Sequence, residues 1–115
     1  MKTIKGDLIL TEDFRIDDDL KVNGNIICKG GRWNIICYNI DCDNLNCNNI
    51  DCDNLNCYNI DCRNLDCINL NCFDISFYDF CIAYYSFKCI SATSKRKNFV
   101  LKCLDGEIEY KGEGK

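Results

Sequence analysis

Between Trp33 and Phe77 the chain repeats itself every five residues, as WNIIC YNIDC DNLNC NNIDC DNLNC YNIDC RNLDC INLNC FDISF. Each unit is a variable residue, Asn or once Asp, Ile or Leu, usually Asp or Asn, then Cys. So short a fixed period marks a solenoid, in which each unit forms one side of a coil and the coils stack on their neighbours. The alternation within a unit decides which side chains face inward. If the variable residue shared the interior with Ile or Leu, then Asp43, Asp53 and Arg63 would be buried without partners, at several kcal/mol each. With Cys as the second inward residue, every interior position is apolar. The Asn and the Asp/Asn positions then face outward.

The cysteines fit this reading. The chain has 12 of them in 115 residues, a density that in a short exported protein would signal a disulfide framework. Here eight of them, Cys37 to Cys72, fall on the same five-residue beat, so one structural slot is being refilled. Cys buries readily as a small hydrophobe, and these read as core residues with free thiols. The N-terminal segment MKTIKGDLIL has no apolar stretch of signal-peptide length, and cytoplasmic localisation is the expectation. The net charge of −4 disfavours general affinity for nucleic acid or an anionic membrane.

The flanks carry looser versions of the pattern. Asp7, Asp13, Asp19 and Asn25 each open an Asp/Asn, apolar, variable, apolar tetrad at six-residue steps, before Lys29-Gly30-Gly31-Arg32 interrupts the beat. Residues 1–32 are therefore expected to form an irregular N-terminal cap, and residues 33–92 the repeat proper. Phe99–Leu104, the turn signal Asp105-Gly106 and Glu107–Tyr110 predict a C-terminal hairpin cap within residues 93–115, ending in a mobile tail from Lys111. The whole is expected to be one all-β domain.

The number of sides per coil is weighed on the variable slot. Four sides, or about 20 residues per coil, stack Tyr38, Tyr58 and Tyr78 in one column and set Asp43 against Arg63. Two sides pile Asp41, Asp51 and Asp61 together, and three sides break the tyrosine column. Four sides are expected. The units at 33–92 resemble the pentapeptide-repeat family, with Asp41, Asn46, Asp51, Asn56, Asp61, Asp66 and Asn71 in its Asp/Asn slot. The resemblance implies a right-handed, four-sided β-helix. This chain departs from the family in putting the large inward residue first and small Cys second.

For function the sequence offers few signals. Histidine is absent, which removes the usual general base and zinc imidazole. An enzyme is not expected, and neither a cofactor nor a metal is required. The aligned Tyr38, Tyr58 and Tyr78 read either as simple stacking or as a docking stripe. Lys95-Arg96-Lys97 reads as a solvated loop or as a contact for phosphate or RNA. These six residues are the candidate interaction surface. The expectation is a non-enzymatic scaffold or protein-interaction module with a protein partner, or with a second copy docked through the aromatic-rich C-terminal coil. The alternative is a thiol-based soft-metal-binding or redox-buffering protein.

Overall fold

The computed structural model describes residues 1–111, so residues 112–115 of the expected tail lie outside the described residues. The described residues hold seventeen strands and no helix. The first coil contains β1 (Lys2–Lys5), β2 (Leu8–Leu10) and β3 (Phe14–Arg15), and the second β4 (Leu20–Asn23), β5 (Ile26–Cys28) and β6 (Ile35–Ile36). The third is β7 (Asn39–Asp41), β8 (Asn44–Asn46) and β9 (Asn49–Asp51). The fourth is β10 (Asn54–Asn56), β11 (Asn59–Asp61) and the first half of β12 (Asn64–Asn71). The fifth runs through the rest of β12, β13 (Asp74–Phe77) and the start of β14 (Phe80–Cys89). The sixth takes the rest of β14, β15 (Ser91–Ser94) and β16 (Val100–Cys103), and β17 (Ile108–Tyr110) opens another turn.

Each coil has three sides, and like sides stack in parallel into three faces. The first face carries β1, β4, β7, β10, β12, β14 and β17. The second carries β2, β5, β8, β11, β13 and β15. The third carries β3, β6, β9, β12, β14 and β16. The long strands β12 and β14 bend round the corner between the third face and the first, so these two faces form one continuous sheet. The corner between first and second faces is here the first corner, the next the second, and the bend in β12 and β14 the third.

The register overturns the expected four-sided coil of 20 residues. Ile40 pairs with Leu55 and Leu55 with Leu70, and ladder contacts such as Asn54 with Asn39 join residues 15 apart. The physical reason lies at the corners. In each unit Asn-Ile/Leu-Asp/Asn is the strand, while Cys and the variable residue turn the chain. A triangular coil has sharper vertices than a square one, and a small inward Cys fits the vertex while Ile or Leu fills the middle of the side. The tyrosine column that favoured four sides is worth only about 0.5–1.5 kcal/mol per pair. One buried Ile or Leu is worth about 1.5–3 kcal/mol, so core shape wins.

The inward assignment stands. The eight beat cysteines are buried together with Ile35, Ile40, Leu45, Ile50, Leu55, Ile60, Leu65, Leu70 and Ile75, and no polar or charged residue is buried among the described residues. The N-terminal coils are wider, with partners such as Asn25 and Asp7 lying 18 apart. At their first corner Gly6 has φ 81°, and a Cβ on Gly24 would come within 2.7 Å of the Gly6 backbone. Glycine is needed there to let two chain segments pass.

Among the described residues no hairpin closes the C-terminal end. β16 and β17 each pair in parallel with β14, at Cys81–Leu101 and Phe87–Ile108. Asp105-Gly106 is simply the third corner of the last coil. A hairpin would cover one face of the open end, whereas continuing the coil brings Leu101 and Ile108 over the Cys81 and Phe87 positions on two faces.

Candidate functional site

The interior is a set of thiol columns, one per corner. Cys42, Cys57, Cys72 and Cys89 stack at the first corner, and Cys28, Cys47 and Cys62 at the second, where Phe77 follows. Cys37, Cys52, Cys67, Ala83 and Cys103 stack at the third. Burial pushes the Cys37, Cys62 and Cys72 thiols up to about 12. It raises Cys47, Cys52, Cys67 and Cys81 as well. Cys57 is raised first by its hydrogen bond with the Cys42 thiol and then by burial. At neutral pH these groups are protonated, whereas metal binding and nucleophilic attack need the thiolate. Among the described residues no group of three or more His, Cys, Asp or Glu is arranged to hold an ion.

Asn ladders run along the outside. On the first face Asn39 Nδ2 donates to Asp19 Oδ1 at 2.9 Å, Asn54 to Asn39 at 2.7 Å, Asn69 to Asn54 at 2.7 Å, and Ser86 Oγ to Asn69 at 3.0 Å. Every side-chain donor of these ladders points toward the preceding coil, so the head position needs an acceptor and no donor. Asp19 meets that need. The other two faces use Asp7 and Asp13, which accept from the backbone N–H of Asn25 and Asn34. A shallow groove of about 520 Å³ follows the first ladder, past Asp19, Asn39, Asn54, Asn69 and Ser86. Its polar groups are largely engaged with one another.

The charged groups converge elsewhere. At the second corner a recess of about 280 Å³ runs from Arg32 in the second coil to Lys95 in the sixth, past Arg63 and Tyr78, with Cys47 and Cys62 among its lining residues. It adjoins a second hollow lined by Arg32, Arg63, Tyr78 and Arg96. Arg63 Nε donates to Asp79 Oδ2 at 3.0 Å, and Arg96 binds the other oxygen of the same carboxylate. These two guanidinium groups hold the Asp79 carboxyl below its usual range. Lys95 Nζ donates to Asp61 Oδ1 at 2.8 Å and lies 5.5 Å from the Tyr78 ring centroid. Arg32 makes no ion pair among the described residues.

The six candidate surface residues are thus divided. Tyr38 sits at the third corner, Tyr58 at the first and Tyr78 at the second, so the expected stripe does not exist. Tyr58 stacks on Phe73, with ring centroids 5.2 Å apart, and Arg63 faces Asp79 rather than Asp43. Lys95 and Arg96 do lie together with Tyr78, and Lys97 is exposed in the same loop. Sequence reasoning missed Arg32, Arg63, Asp61 and Asp79. The fifteen-residue period places Arg63 and Tyr78 in one column, whereas Arg32 lies in the insert that interrupts the beat and carries no such signal. No protein-family model matches the chain, and no curated protein or solved structure matches it either.

Proposed function

We propose that this chain is a three-sided relative of the pentapeptide-repeat proteins and acts in the cytoplasm as a non-enzymatic scaffold that docks protein, its first partner being a second copy of itself. The observation that carries this reading is the apolar C-terminal end. Phe99, Val100, Leu104 and Tyr110 are 40–56% exposed there, and Tyr85 is 65% exposed. The inward residues of the last coil, Leu101, Cys103 and Ile108, are only partly buried, and among the described residues β16 bonds to a strand on one side alone. An open edge of this kind invites strand addition.

Charge favours a second copy docked end to end. The second corner of this end carries Lys97, and the third carries Asp105 and Glu107. A two-fold axis through the first corner and the middle of the third face exchanges those corners. It therefore sets Lys97 of each copy toward Asp105 and Glu107 of the other, and brings the two β16 edges together antiparallel. A two-fold contact of this kind closes on itself and yields a dimer, not a filament. Twelve free thiols also suit a reducing compartment.

Sedimentation velocity in reductant tests the proposal. The wild-type chain is expected to sediment as a dimer, and Phe99→Glu with Leu104→Glu as a monomer with an unchanged far-ultraviolet spectrum. A wild-type chain that stays monomeric at high micromolar concentration contradicts self-docking, as does a double variant that remains dimeric.

A further inference from the structure

The second-corner recess has a use distinct from self-docking, because it runs along the flank from Arg32 in the second coil to Lys95 in the sixth rather than across the end of the coil. Four cations, Arg32, Arg63, Lys95 and Arg96, share it with two carboxylates, Asp61 and Asp79. Two positive charges are left uncompensated, in a chain whose overall formal charge is −4. We infer that the recess bounded by Arg32, Arg63, Arg96 and Tyr78 is a binding site for a phosphate dianion, free or carried as a phosphomonoester.

The chemistry matches on three counts. A phosphate or phosphomonoester above pH 6 carries a charge near −2, which equals the local excess. Arg guanidinium groups are planar forks that meet phosphate oxygens with paired N–H donors. Asp79 holds Arg63 and Arg96 on its two oxygens, so two of the three arginines are oriented before a ligand arrives. Each uses only part of its donor set on Asp79, because a guanidinium offers five N–H groups. Arg32 brings an uncommitted fork from the second coil. Tyr78 lines both the recess and the adjoining hollow and adds a phenol that can donate to an oxyanion. These residues come from four separate coils and meet only because the coil has three sides.

Binding can be measured with inorganic phosphate and with O-phosphoserine, by calorimetry and by the arginine Nε–Hε signals, at ionic strength matched with chloride. Saturable binding is expected, with shifts confined to the arginines of the recess and affinity rising as pH passes about 6 and the dianion forms. Equal affinities, or tighter binding of inorganic phosphate, assign the site to the free anion; tighter binding of phosphoserine assigns it to an ester. Arg32→Gln with Arg63→Gln is expected to weaken either ligand at least about tenfold. Lys21→Gln with Lys88→Gln makes the same change in net charge on the first face and is expected to leave affinity unchanged. Non-saturable binding, an equal loss in both double variants, or full affinity in the Arg32/Arg63 variant overturns the site. The mutated arginines are exposed, and a retained far-ultraviolet spectrum separates lost binding from lost fold.

Discussion

Cysteine is used here for its volume. The thiol stacks sit at the three vertices, where a Ser would need a hydrogen-bond partner the interior lacks; toward the ends of the second-corner column the larger Leu10 and Phe77 take the same inward slot. Replacing Cys47 and Cys52 together by Ala removes two sulfur atoms from 5% and 4% exposed sites and leaves small cavities. The expected cost is about 1 kcal/mol or less per site, read from urea unfolding. Leu45→Asp puts a charge without a partner at a 1% exposed position in the middle of the second face. That variant is expected not to fold, as judged by loss of the strand signal in circular dichroism. Chelator-sensitive melting of the wild-type chain, or a folded Leu45→Asp variant, contradicts the packing account.

At the scale of the strand, three residues are too few to hold a side in place by backbone bonding alone, and the ladders supply the rest. Asn54 joins three coils: its Nδ2 donates to Asn39, and its Oδ1 accepts from Asn69 Nδ2. Asn54→Ala breaks both bonds on an exposed face, where each contributes about 0.5–1.5 kcal/mol. A total loss of about 1–3 kcal/mol is expected by urea unfolding, with faster amide exchange in β7, β10 and β12. An unchanged midpoint would show that the ladder only decorates the sheet.

This is also the scale at which sequence and structure part. The inward pair of each unit was legible, because only one register keeps Asp43, Asp53 and Arg63 out of the core. The side count was not. Asn follows the variable residue in almost every unit, so a ladder of Asn on Asn forms at a spacing of fifteen or of twenty. Only the variable slot distinguishes the two, and its preferences are weak beside core shape. The phosphate recess was hidden for the same reason, since Arg32, Arg63 and Arg96 share a corner only once the coil has three sides. Asp105-Gly106 has the composition of a hairpin turn, but Leu101 and Ile108 gain more by covering the open core on two faces than by pairing β16 with β17.

For the whole molecule the thiol columns set the response to alkali. The buried thiols titrate above the unfolded value of about 8.5, and Cys37, Cys62 and Cys72 do so at about 12. The stabilisation is therefore complete below about pH 8.5, where thiols are protonated in both states. It is lost as pH rises beyond that, because the unfolded chain releases protons that the native chain retains. Each such thiol adds about 1.4 kcal/mol per pH unit to the decline. Urea midpoints measured in reductant from pH 7.5 to 10 are expected to fall steeply above pH 8.5. A flat profile would mean that the thiols are solvated. The account rests finally on the three-sided coil, and one aromatic contact reports it directly. Nuclear Overhauser spectra are predicted to show ring-to-ring cross-peaks between Tyr58 and Phe73, whose centroids lie 5.2 Å apart; cross-peaks from Tyr58 to Tyr38 and Tyr78 in their place would establish a four-sided coil and contradict the architecture on which the recess depends.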